Sequence, residues 1–324
     1  MNKKQLIILA FLSVFIFKDA FSWGFHAHRN INKYAVFLLP EPLIGFYKPH
    51  IEYLSEHAID PDKRAQVSQD EAVKHYIDID HFGVKPFEIM PKKWADAKNK
   101  FTEDSLKTYG ILPWNISWVF YDLVDAFKSK NMDRILYISA SLGHYVADAT
   151  MPLHTTEYYD GKTMEQKGIH AFFETRMVEL FLEDWDFFVG QAEYVKHPLD
   201  KAWTLVEASH NTIDSIFMAD ELLRKEFPTD RKFVVEQKWG GNKRQFSKEY
   251  GIAFNTYTNY LVERQFKKAI HAVASIWYSA WVNAGQPDLE EFQNKKISPK
   301  HQAELEEIDR KFQEAYDENQ EYIH

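Results

Sequence analysis

The chain is expected to fold as an all-α protein with a single mainly helical domain. Three observations lead there. Apolar residues recur at three-to-four spacing over long stretches, no convincing series of alternating strand patterns interrupts them, and helix stops fall where each stripe ends. The first stripe is Ile116, Phe120, Leu123, Val124 and Phe127, with Pro113 just ahead of it at a position that suits a helix start. Lys128 to Asp133 joins it to a second stripe, Ile135, Ile138, Leu142 and Tyr145, which Pro152 closes. A third, Phe266, Ile270, Val273, Trp277 and Trp281, is stopped by Gly285 and Pro287. Segments 157–168 and 226–247 carry the Gly, Pro, Asp and Lys clusters of loops, the second including Gly240-Gly241. The charged stretch 297–324 keeps Leu305, Ile308, Phe312 and Tyr316 at helical spacing and reads as a peripheral helix or tail.

The N-terminus has a different character. Lys3 and Lys4 precede an apolar run from Leu6 to Phe17, and Ala20-Phe21-Ser22 offers small residues at a cleavage site. Residues 1–22 are therefore expected to be a signal peptide, placing the mature protein in the periplasm or outside the cell with Trp23 first. Residues 23–296 then form the helical domain, with no repeat or linker dividing it.

Composition narrows the chemistry. The 324 residues include 14 His and no Cys, which excludes thiol catalysis, disulfide scaffolding and thiolate metal sites. Any bound metal must rest on His, Asp and Glu. With 39 Lys and Arg against 48 Asp and Glu, the net charge of −9 argues against a stable nucleic-acid complex through a basic face.

The strongest local feature is His144-Tyr-Val-Ala-Asp148-Ala-Thr-Met-Pro-Leu-His154. His144 and Asp148 are four residues apart on the second helix and share a face, and Pro152 lets His154 turn back towards it. His170 and Glu174 repeat the four-residue spacing. Alone, each is the pattern of an ordinary hydrogen-bonded pair; two pairs within about thirty residues, with His154 beside them, favour a metal site. Upstream, Asp60-Pro61-Asp62 reads singly as a solvated turn, and His75 and His81 fit core or surface equally.

Together with Trp23-Gly-Phe-His-Ala-His28, this order resembles the zinc-dependent phospholipase C family and its relatives, the single-strand-specific zinc nucleases. The resemblance runs from Trp23 to Glu174. It implies three zinc ions: one held by Asp60, His75, His144 and Asp148; a second by Trp23, through its free α-amino nitrogen and carbonyl oxygen, with His28 and the bridging Asp148; and a third by His154, His170 and Glu174. Asp60 is preferred to Asp62 for its spacing before His75, and His28 to His26 for its distance from Trp23. The resemblance further implies phosphodiester hydrolysis by a hydroxide bridging two ions, with Asp148 as the bridge and Asp60 orienting water.

The substrate is then a phospholipid, with at most peripheral membrane contact, or a single-stranded nucleic acid. Glu174 resembles the phospholipase C branch, while Trp23-Gly-Phe and the His28 spacing resemble the nuclease and 3′-nucleotidase branch. Tyr76, Phe82, Tyr145, Tyr158 and Tyr159 would line a headgroup or base pocket, or simply pack in the core. His26 and Pro61 depart from the pattern of choline-binding enzymes. A protein in which zinc only holds helices together is the reading from another class.

Overall fold

The structure is a computed structural model that describes residues 23–238 and 241–321. Its principal helices are α1 (Phe25–Val36), α2 (Asp60–Ala65), α3 (Leu112–Lys128), α4 (Met132–Asp148), α5 (Pro198–His210), α6 (Ile213–Glu226), α7 (Lys248–Tyr257), α8 (Leu261–Asn283) and α9 (Pro299–Glu321). The fold is mainly α-helical, as the periodicity predicts. The expected signal peptide lies outside the described residues, and no helix among the described residues is long and apolar enough to cross a membrane.

The starts and stops have local causes. Pro113 sits in the first turn of α3, where its missing N–H costs nothing. The Asn131 side chain caps α4 by accepting from Arg134 N at 3.1 Å. α8 ends two residues before Gly285, whose φ of 87° few other residues adopt. α4 ends at Asp148, four residues ahead of Pro152, and residues 152–155 form a separate short turn that carries His154.

One expectation about the elements fails. Segment 226–247, read as a loop, contains an antiparallel hairpin of β1 (Phe233–Lys238) and β2 (Gly241–Phe246), with Phe233 paired to Phe246. Its strands are mostly exposed and polar, so they lack the alternating apolar pattern that marks a half-buried strand. The hairpin is anchored from outside: Arg176 donates to Phe246 O at 2.9 Å and pairs with Glu236.

α4 is the centre of the molecule. It packs against α1, α3 and α8, and every residue from Ile138 to Asp148 is buried. Close approach to α1 depends on Gly143, where a Cβ would lie 2.1 Å from Asn32 Oδ1. Asn32 in turn donates to Leu54 O and Ala140 O, each at 3.1 Å, which fixes α1 against α4. α9 lies outside this core. It adds the buried Leu305 and is tied to α2 by Lys63 and Asp309, 2.6 Å apart.

Candidate metal centre

Burial selects among the polar residues of the core-facing elements. His28, Asp62, His75, His144, Asp148, His154, His170 and Glu174 are all buried, although side chains of these types cost free energy when removed from water unless paired. They gather into three groups: His28, His144 and Asp148; Asp62, His75 and His144; and His154, His170 and Glu174. Within each group one ligand atom per residue lies within 4.8 Å of the others.

Asp148 links the groups. Its Oδ1 is 3.4 Å from His28 Nε2 and 3.5 Å from His154 Nδ1, and its Oδ2 is 3.2 Å from His75 Nδ1 and 3.3 Å from His144 Nε2. His144 Nε2 also lies 2.9 Å from His75 Nδ1 and 3.4 Å from Asp62 Oδ1. In the third group, Glu174 Oε2 is 3.0 Å from His170 Nε2 and 3.9 Å from His154 Nε2. His170 is the middle residue of the short helix Ile169–Ala171 and Glu174 sits in the π-helical turn Phe172–Arg176, a form frequent at functional sites.

Backbone carbonyls orient three of the imidazoles. His144 Nδ1 donates to Ala58 O at 2.8 Å, His154 Nδ1 to His75 O at 3.0 Å and His170 Nδ1 to Tyr159 O at 3.3 Å. A carbonyl can only accept, so Nδ1 carries a hydrogen in each ring and Nε2 faces the group. The carboxylates complete the donor set. Both oxygens of Asp62 and Glu174 Oε1 are buried without a hydrogen-bond partner, while Glu174 Oε2 has only the imidazoles of its own group beside it. Oxygen and nitrogen donors in this number, with no sulfur, fit a divalent cation that keeps positions for water.

Burial and mutual charge set the protonation of these groups. Burial holds His28 down to about 4 and His154 down to about 3, so both rings are neutral and available as donors. Burial also pushes Glu174 up to about 8. His144 is the exception: burial works against its charged form, but Asp148 and Asp62 outweigh burial and raise it to about 10. The stacked His28 ring, 3.8 Å away, stays neutral beside it. Two carboxylates meeting in a dry interior thus require positive charge, which a proton on His144 or a bound cation supplies.

Trp23 is fully buried next to these groups. Its indole N–H donates to Ala147 O at 2.9 Å, one residue from Asp148, and its ring packs against Phe173 and Phe266. Gly24 makes this approach possible, since a Cβ there would lie 2.3 Å from Thr175 Oγ1. His28 enters a group, whereas His26 is exposed.

Asp60 requires correction. It stands in none of the three groups; Asp62 takes the place beside His75 and His144. Two residues along a helix turn a side chain through about 200°, so only one of the pair can face the groups. Asp60 faces the other way and accepts from His57 Nδ1 and Lys63 Nζ, each at 2.8 Å. Chain spacing to His75 cannot detect that rotation.

Of the aromatics, Tyr76 and Tyr159 line a recess that opens onto His75, His154 and His170, together with Leu153 and the buried Asp78. Asp78 follows His75 by three residues, in the run Lys74 to His81 whose carboxylates and imidazoles offer further ligand types. Tyr158 borders a separate cleft of about 550 Å³, and Phe82 belongs to the core.

No protein-family profile matches the chain. A probable serine protease of Bradyrhizobium tropiciagri is 31% identical to it over 108 residues, which cover 26% of this chain. The match spans 14% of the length of that relative.

Proposed function

We propose that this chain is a zinc-dependent hydrolase of phosphodiester bonds, similar to phospholipase C, with its reaction centre at the three groups joined by Asp148. The observation that carries the reading is the convergence of four imidazoles on one buried carboxylate, with the Asp62 oxygens and Glu174 Oε1 lacking a hydrogen-bond partner beside them. A hydrogen-bonded structural cluster would satisfy those oxygens; a metal centre uses them as ligands.

Asp62, His75 and His144 would hold one ion, His28, His144 and Asp148 a second, and His154, His170 and Glu174 a third. From the resemblance, the α-amino nitrogen of Trp23 adds to the second, and the indole anchor on Ala147 supports that placement. Bound zinc supplies a water acidified to a pKa of about 7 and positive charge against the phosphoryl oxygens. The chain's own residues do the rest. The carbonyls of Ala58, His75 and Tyr159 fix the imidazoles in advance, the buried walls limit competing water, and Tyr76 and Tyr159 flank the recess beside His75, His154 and His170.

Glu174 favours a phospholipid substrate. The Trp23-Gly-Phe start and the placement of His28 favour the second reading, a single-strand nuclease or 3′-nucleotidase. The name of the partial relative is compatible with hydrolysis but implies a side-chain nucleophile. One experiment separates these. The chain beginning at Trp23 is reconstituted with zinc and assayed on phosphatidylcholine, single-stranded DNA, RNA, 3′-nucleotides and a peptide, with a chelator and with a serine-directed fluorophosphonate. Diester hydrolysis abolished by the chelator and indifferent to the fluorophosphonate is expected. Fewer than two zinc ions per chain with no diester hydrolysis overturns the proposal, and peptide cleavage blocked by the fluorophosphonate replaces it.

A further inference from the structure

A partly buried hydrogen-bonded network stands directly behind Asp62, His75 and His144. Arg64, two residues beyond Asp62, donates from Nη2 to Glu71 Oε1 at 3.0 Å and to Tyr145 Oη at 3.3 Å, and from Nη1 to Tyr137 Oη at 2.9 Å. The Tyr145 hydroxyl donates to Glu71. Lys74, the residue before His75, donates to the other Glu71 oxygen at 2.6 Å. Tyr145 itself follows His144, and its ring meets His75 and His144 edge-on at 5.4 and 5.6 Å. Each of the three donors therefore lies within two residues of a member of one network.

The elements concerned need such support. α2 has 6 residues and the turn of helix at Gln69–Ala72 has 4. Helices this short have no orientation of their own, because nucleation costs more than so few hydrogen bonds return. Arg64 bridges both to α4 through a rigid planar fork that a lysine cannot reproduce. Glu71 is not itself a ligand, since both oxygens are taken by Arg64, Tyr145 and Lys74.

We propose that Arg64, Glu71 and Tyr145 are positioning residues that set the geometry of the Asp62, His75 and His144 donors, so that metal affinity at that group depends on them and affinity at His154, His170 and Glu174 does not. The inference rests on the metal reading given above. It goes beyond that reading in naming residues that touch no ligand atom of the ion yet decide how well one ion is held.

The test uses the full chain from Trp23 as wild type, Tyr145→Phe and Arg64→Lys. Tyr145→Phe keeps the ring against both imidazoles and removes one hydroxyl; Arg64→Lys keeps the charge and removes the fork. Each metal-free protein is titrated with zinc against a chromophoric chelator and with cobalt, whose visible spectrum reports coordination, and its urea midpoint is measured. Expected in both variants is a roughly ten- to hundredfold loss of affinity at one site with an altered cobalt spectrum, unchanged affinity at another, and a metal-free urea midpoint near wild type for Tyr145→Phe. Wild-type affinities at every site, or a parallel fall at every site together with loss of metal-free stability, overturn the positioning role. A wild-type chain that takes up neither metal overturns the metal reading, and this inference with it.

Discussion

Asp60 and Asp62 stand two residues apart and face different partners. Asp62 looks into the interior with both oxygens unpaired by hydrogen bonds, while Asp60 joins His57 and Lys63, and through Lys63 the C-terminal helix α9. Asp62→Asn is expected to lose at least one metal equivalent on dialysis against a weak chelator, read by metal analysis. Asp60→Asn is expected to keep its metal and lose about 1–3 kcal/mol of stability in urea, the cost of breaking charged hydrogen bonds. The reverse pattern would restore Asp60 as the ligand. Glu71 gives a second prediction at this scale. Burial acts to raise its carboxyl, but Arg64, His75 and Lys74 outweigh burial and hold it down to about 2, from an ordinary 4.5. The folded pKa is thus below the unfolded one. Its contribution to stability is complete above pH 4.5 and is lost as pH falls towards 2. Acid unfolding of the chelated protein, followed by circular dichroism, should be less steep in that window for Glu71→Gln; superimposable curves would refute the assignment.

At the scale of elements, α4 does most to build the site, because it carries His144 and Asp148 and is buried from Ile138 onward. Gly143→Ala tests how tightly α1 must seat against it. Alanine favours a helix interior by about 1 kcal/mol, yet its Cβ would collide with Asn32, so a net loss of roughly 1–3 kcal/mol in urea is expected. A stabilised variant would show that α1 yields without cost. The stripes of α3, α4 and α8 were legible in the sequence because each buries one face, or more, over several turns. The hairpin at 233–246 was not, because exposed strands carry no apolar alternation and its anchor, Arg176, lies 60 residues from Glu236. The same limit hid the network of Arg64, Glu71 and Tyr145, whose members look like unrelated polar residues until three elements meet.

Across the whole molecule, the three groups join α1, α2, the segment at His75, α4, the turn at His154 and the segment 169–176. With no cysteine in the chain, cations bound there would cross-link segments far apart in sequence. An ion that binds only the folded state at a thousand times its Kd adds about 4 kcal/mol, which for a chain of this size raises Tm by on the order of 10 °C. Scanning calorimetry with zinc and with a chelator should show that difference; identical midpoints would mean that the groups hold no cation that matters to stability.

The sequence by itself determined the helical class, the helix stops and the residue types available to a site, since periodicity, proline, glycine and the absence of cysteine act locally or by composition. It also singled out His28, His75, His144, Asp148, His154, His170 and Glu174. Only the tertiary structure decided that Asp62 and not Asp60 faces them, that carbonyls of distant segments aim three of the imidazoles, and that Asp148 is the point where all groups meet. Those outcomes depend on the rotation of a short helix and on contacts between elements far apart in the chain, such as Ala58 with His144, 86 residues apart, neither of which chain spacing encodes.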